Sequence, residues 1–307
     1  TLSSNRLELR EITTGNLISE FAVDSGQDGR LALSRDGRFL CAGHRRIHLW
    51  DLGKREMVWQ SDSGEPIADI EFDKESKKLA VVRHIQGNSV TTQVNIYGVD
   101  SSENLLTISL PTEIWSVSFH PSGNKIAGTC HDEKMRIWAI ATGDELRKRQ
   151  SPPLSTAITY SLDGTQIAYG DDTTIQWVWV IDATSLKVKA LWKNFGSTTT
   201  RLAFHDDSIR LVVGGSSQMV YVLNSDTNNI DQIFRGHEGD LVGVSFRPGY
   251  RQVVSTDRKG NTKTWHLEVA QGITSLDKFE PFATDVAFSP DGEFLAAAQG
   301  AYWDPMT

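Results

Sequence analysis

The chain of 307 residues is poor in the features that most often declare a function. It has two cysteines, Cys41 and Cys130, and no Asn-x-Ser/Thr sequon, so neither a disulfide framework nor N-glycosylation organises it. The two thiols are expected as small core residues in a reducing compartment. No apolar run approaches the ~18 residues of a membrane span, and no early stretch resembles a secretory signal. Positive charge is not in excess either. The count is 31 Lys+Arg against 39 Asp+Glu, a net of −8, which argues against nucleic acid as the main partner. The chain opens on Thr1 rather than Met and reads as part of something larger. A cytoplasmic location without membrane insertion is the expectation.

What the chain does have is a repeat. The stretch "IWSVSFHPSGNKIAG" (residues 114–128) is an alternating apolar run, a turn cluster and a second apolar run, which is a β-hairpin. Its Phe119 and Ile126 recur as Leu33/Leu40, Phe72/Leu79, Tyr160/Ile167, Phe204/Leu211, Phe246/Val253 and Phe288/Leu295, always seven residues apart. First members are 39, 47, 41, 44, 42 and 42 residues apart. Between the members lie turn formers such as "SRDGR", "SLDGT" and "SPDGE". A third alternating run follows each hairpin ("IHLW", "VNIY", "MRIW", "VWVI", "VYVL", "TKTW"), then a more polar fourth run such as "AIATGDELRKR". Four antiparallel strands per unit of about 42 residues predict an all-β, seven-bladed β-propeller. A single twisted sheet cannot cover its own apolar faces, whereas stacked blades in a closed ring can.

The ends complete the count. The seventh hairpin has no third and fourth strands after it, while "NRLELREITTGNLISEF" (residues 5–21) reads as two strands without a hairpin before them. One propeller domain over 1–307 is therefore expected, its last blade assembled from 284–300 plus 5–21.

These residues resemble the WD-repeat family of seven-bladed propellers. The Trp-Asp ending of the third strand stands intact at Trp50-Asp51 and is altered at Trp138-Ala139, Ile181-Asp182 and Trp265-His266. The Gly-His dipeptide before strand one is clean at Gly236-His237. The resemblance implies a bonded set of His237, a strand-two hydroxyl from Ser255 or Thr256, and Trp265. It also implies a non-catalytic protein–protein interaction platform, acting as a sensing or assembly module, with a protein or peptide as partner.

Chemical motifs are sparse. The eight histidines show no metal-ligand spacing, so no metal and no cofactor are expected. Asp171-Asp172 and Asp206-Asp207 read as solvated turn acids. Arg45-Arg46 and Arg147-Lys148-Arg149 read as solvated charge that also protects edge strands. Trp177 and Trp179 are expected to pack between blades. The alternative function is a propeller enzyme with a funnel-bound metal or cofactor, of lactonase or quinoprotein type. It needs inward carboxylates at the starts of the inner strands. The residues read there (Gly29, Ala68, Trp115, Thr156, Thr200, Gly243, Thr284) include none, which disfavours it.

Among those positions Trp115 is the one aromatic. The strand-two-to-three loop of the preceding blade is the longest and carries Arg83, His84, Gln86 and Asn88. The resemblance implies that this loop and the strand-one starts share a partner-facing side. Trp115, Glu113, Arg83, His84, Gln86 and Asn88 are therefore the candidate partner-binding residues. An aromatic ringed by polar groups has the composition of an interface hot spot. Strict alternation gives Trp115 a competing place on the core face with Val117 and Phe119.

Overall fold

The computed structural model describes residues 6–11, 14, 16–22, 29–62, 64–85, 91–152, 155–171, 177–193, 199–267, 273–275, 282–289 and 291–300. Every recurring pair of the sequence is a cross-strand pair. Leu33↔Leu40, Phe72↔Leu79, Phe119↔Ile126, Tyr160↔Ile167, Phe204↔Leu211, Phe246↔Val253 and Phe288↔Leu295 each stand opposite one another at the base of a hairpin. Each hairpin holds one residue in the left-handed region: Gly37, Ser76, Gly123, Gly164, Ser208, Gly249 or Gly292. The two serines accept the strain of φ near 59° for a reason. Their hydroxyls accept the backbone N–H groups of Asp36 and Asp163, fastening each hairpin to that of the preceding blade.

Among the described residues the strands form seven four-stranded antiparallel sheets. Blade 1 begins with Arg30–Leu33, blade 2 with Ile67–Phe72 and blade 3 with Ile114–Phe119. Blades 4, 5 and 6 begin with Ser155–Tyr160, Thr199–Phe204 and Leu241–Phe246. Blade 7 is composite: Phe282–Phe288 and Phe294–Gly300 supply its inner strands, and Arg6–Glu11 and Leu17–Ala22 its outer ones. The joint is a full ladder from Leu7↔Ala298 to Glu11↔Phe294.

Apolar clusters fill the seams between neighbouring blades. Leu7, Leu9 and Phe21 of blade 7 meet Leu31, Leu40 and Trp50 of blade 1. Phe39, Cys41 and Leu49 meet Ile67, Ile70 and Phe72 of blade 2. Further clusters join blades 2 and 3, 3 and 4, 4 and 5, 5 and 6, and 6 and 7. Each fully buried aliphatic side chain in a seam contributes about 1.5–3 kcal/mol.

The rim of each blade is an outer edge strand, and it is not flat. In blades 1, 2, 3, 4, 5 and 7 the pairing of the outer strand slips once, leaving Val58, Leu105, Leu146, Lys189, Asp231 and Ile18 outside the ladder. A bulge twists an edge away from any strand that would pair with it.

Candidate partner-binding rim

The innermost strands carry a second, equally regular bulge. In blades 2 to 7 the pairing skips one residue near the strand start: Ala68, Trp115, Thr156, Thr200, Val242 and Thr284. This corrects two expectations. The equivalent position in blade 6 is Val242, one residue before the Gly243 taken from the sequence. Strict alternation also does not reach back to Trp115, because the bulge breaks it.

Trp115 is accordingly half-buried, whereas Val117 and Phe119 are buried. The ring of His84 meets its edge at 5.4 Å between centroids and 89° between planes. His84 Nε2 lies 2.8 Å from the carbonyl of Ile114. A carbonyl only accepts, so this nitrogen carries the proton and the imidazole is fixed against the tryptophan. The indole N–H of Trp115 is covered and, among the described residues, has no acceptor. Glu113, half-buried, lies two residues before Trp115, and its carbonyl accepts the N–H of His131.

The other candidates separate. Arg83 is buried, not partner-facing: Nη1 donates to the carbonyls of Arg45 (2.8 Å) and Glu65 (3.0 Å), and Nη2 to Ser61 Oγ. It is a strut between blades 1 and 2. Gln86 and Asn88 lie outside the described residues. Asp171 is also buried rather than solvated, and its carboxylate accepts the N–H of Trp177; Asp172 lies outside the described residues. Asp206 is exposed and accepts the N–H of Gly249 in the next blade, and Asp207 pairs with Arg210. Arg149 is tied to the carbonyl of Leu186, and Trp179 lies against Tyr169 between blades 3 and 4.

In blades 2 to 7 the ladder resumes just after the bulge at Asp69, Ser116, Ala157, Arg201, Gly243 and Asp285. Two of these are carboxylates, each one place after a position read from the sequence. Their oxygens are engaged by the neighbouring blade. Asp69 Oδ2 accepts from Ser116 Oγ (2.8 Å) and the N–H of Val117 (2.9 Å). Asp285 Oδ2 accepts the N–H of Leu31 (3.3 Å). One turn of the pleat deeper, Glu71 accepts from Ser118 Oγ and the N–H of Phe119. Burial, reinforced by the charge of Asp69, pushes the Glu71 carboxyl well above the ordinary carboxylate range. Burial also raises Asp69, although Val117 and the fields of Arg201 and Arg30 oppose it. Among the described residues no three His, Cys, Asp or Glu side chains gather as metal ligands.

In blade 6, His237 Nε2 lies 2.6 Å from Ser255 Oγ, and Trp265 Nε1 donates to the same oxygen at 2.7 Å. Thr256 stands apart from this chain, its hydroxyl 2.9 Å from that of Thr262. Sequence reasoning missed the fourth member, Asp257, whose Oδ2 lies 3.0 Å from His237 Nδ1. It also accepts the N–H groups of Lys259 and Asn261, so it closes the turn after strand two. A turn aspartate looks ordinary; the signal was its offset of two from Ser255.

Comparison with known proteins agrees with this architecture. The model described as "WD domain, G-beta repeat" matches residues 102–139, the outer strand of blade 2 and most of blade 3. The chain is 27% identical over 221 residues to Protein HIR1 of Mycosarcoma maydis, covering 60% of this chain and 22% of that protein. It is 22% identical over 189 residues to Transcription initiation factor TFIID subunit 5 of Caenorhabditis elegans, covering 61% and 29%. The chain thus spans about a quarter of the length of these curated relatives. A chain in the "Crystal Structure of Mitotic Checkpoint Complex" superposes with a TM-score of 0.75 at 17% identity, over 90% of this chain and 89% of that one. The chain is a seven-bladed β-propeller that carries a WD-type repeat.

Proposed function

We propose that the chain is a non-catalytic platform on which a protein or peptide partner docks, serving as the assembly or sensing module of a larger protein or complex. The observation that carries this reading is Trp115. A large aromatic stands half-exposed on an inner-strand bulge, held by His84 rather than buried in a seam. A rigid, preorganised aromatic loses little freedom on binding and supplies much contact area. Glu113 lies beside it in sequence as part of a polar border. One curated relative and the checkpoint chain carry names of a transcription factor subunit and a checkpoint complex, which fits the same role. A reducing compartment such as the cytoplasm suits Cys41 and Cys130; burial pushes the Cys130 thiol up to about 11, and neither is paired.

Trp115→Ala tests this. At a half-buried site it is expected to cost about 1–2 kcal/mol, against 3–5 for a core tryptophan. It should also strip partners from affinity capture read by mass spectrometry. Core-sized destabilisation, or an unchanged partner set, overturns the reading.

A further inference from the structure

We infer that the outer rim of blades 3 and 4 is a second docking surface, which takes a short acidic segment of a protein partner. It lies on the side wall of the disc and does not depend on Trp115. Three observations carry it.

The first is a local reversal of charge in a chain of net −8. The outer strands Glu145–Gln150 and Val188–Trp192, with the turns that lead into them and Lys193 just beyond, hold Arg147, Lys148, Arg149, Lys187, Lys189 and Lys193. Against these stand Asp144, Glu145 and Asp182. The flanking rims have the opposite sign. Residues 98–110 of blade 2 carry Asp100 and Glu103 with no lysine or arginine, and residues 224–235 of blade 5 carry Asp226 and Asp231 against Arg235.

The second is that the acids of this sector are engaged while two of its cations are not. Glu145 accepts from Arg136 Nε at 3.0 Å and pairs with Lys148 at 3.3 Å. Asp182 accepts the N–H groups of Thr184 and Ser185, and Asp144 accepts the hydroxyl of Thr142. Lys189 pairs with Asp226, and Lys193 lies over the ring of Trp177. Arg147 and Lys187 are exposed and, among the described residues, have no acidic partner.

The third is placement. Arg149 crosses the seam, where Nη1 donates to the carbonyl of Leu186 at 2.7 Å. Leu186 packs on the seam cluster that contains Met135 and Ile137. The turn that carries Lys187 is thereby seated against the outer strand of blade 3. Arg147 stands opposite Ile137 and Arg149 opposite Met135, so the two arginines share a face of that strand, about 7 Å apart along it. Arg147 and Lys187 thus border the same seam from its two sides. Leu146 and Val188, 47% and 44% exposed, adjoin them in sequence and offer apolar contact.

Cations within a Debye length, ~8 Å at physiological salt, act on a partner together. Such a field selects a complementary partner and speeds its encounter. A bilayer or a long nucleic acid would extend past the sector onto the acids of blades 2 and 5. A short segment with glutamates spaced between apolar side chains fits within it.

The test titrates a capped, fluorescein-labelled peptide of glutamates interspersed with leucines into the full chain and reads anisotropy. The same peptide with glutamine or lysine for every glutamate runs beside it. Binding of the glutamate peptide alone, weakening as salt rises, is expected. Arg147→Glu with Lys187→Glu should weaken it by about tenfold or more. Lys54→Glu with Lys74→Glu changes the net charge equally at exposed sites elsewhere and should alter binding by less than about twofold. Should the rim variant melt early, Arg147→Gln with Lys187→Gln carries the same comparison. Equal losses in the two pairs reduce the effect to net charge and overturn the site. So does a glutamate peptide that binds no better than its glutamine form. Poly-uridine RNA and phosphatidylserine vesicles are titrated alongside; preferential binding of either, lost in the rim variant, overturns the acidic segment as the occupant. None of these outcomes bears on Trp115, whose role is read from the Trp115→Ala capture.

Discussion

Blades 3 and 6 each close their third strand on a buried tryptophan, Trp138 and Trp265, and hold it by opposite means. The ladders align them: Trp138 stands opposite Ile126 as Trp265 stands opposite Val253. In blade 6 the residue two places on is Ser255, which receives the indole N–H and passes the contact to His237 and Asp257. In blade 3 the same place is Gly128, and a Cβ there would sit 3.0 Å from Trp138 Cζ3. The place of Asp257 is taken by Cys130, packed in the apolar cluster with Trp138. One scaffold therefore accommodates a polar relay or plain ring-on-backbone packing. Most blades lack the relay, so it adds to a seam that apolar burial already closes.

The largest test of that contrast removes its two terminal members. Asp257→Ala leaves His237 and the turn N–H groups unpaired in the interior and is expected to cost about 3–5 kcal/mol. Cys130→Ala, at the matching site, should cost about 1–2 kcal/mol by a small cavity. Equal shifts in urea midpoint for the two would dissolve the distinction.

A second pair probes the middle of each chain. Ser255→Ala strands the indole N–H and His237 Nε2, and about 1–3 kcal/mol is expected. Gly128→Ala should lose a similar amount, by overpacking against Trp138. Ser255→Thr separates the mechanisms, because it restores the hydroxyl; rescue should follow in blade 6, where a loss as large as that of alanine would refute the relay.

The smallest expected effect is in pH. Burial opposes ionisation of Asp257, but the hydrogen bonds from His237 and Asn261 outweigh it and hold the carboxyl well below its ordinary 3.8. Because the folded value is the lower one, the stabilisation is full above the unfolded value, about pH 4, and is lost as pH falls below it. The gap in melting temperature between wild type and Asp257→Asn should therefore narrow on acidification from about pH 5 downward. The gap for Cys130→Ala should stay level. A gap that widens in acid reverses the sign assigned here.

Much of the fold was legible because it is written in side-chain periodicity. Leu33/Leu40 and its six counterparts report a strand pair directly, and the orphan strands at 5–21 have one place to go. The rim was harder to read because a bulge is a backbone event with no composition of its own. It takes Trp115 out of the alternation that would put it on the core face, and the ladder resumes one place later, at Ser116 as at Asp69 and Asp285. Arg83 misled for another reason. Its acceptors are carbonyls of residues 45 and 65, and main-chain acceptors leave no trace in sequence.

The composite blade also sets a clock. Of the propeller's strands, 6–11 and 17–22 are synthesised first and their partner at 294–300 last. Synthesis at ~5–20 residues per second separates the two by roughly fifteen seconds to a minute. Throughout that interval strand 6–11 has 17–22 to pair with and blade 1 to pack on, but its inner edge, from Leu7 to Glu11, lacks its partner at 294–300. Closing so long a loop costs little more entropy than closing a shorter one, since the cost grows only logarithmically. The delay is the greater demand. A nascent propeller of this design carries one unmatched strand edge until its last strand is made, and its rate of correct maturation is governed by how well that edge is shielded in the meantime.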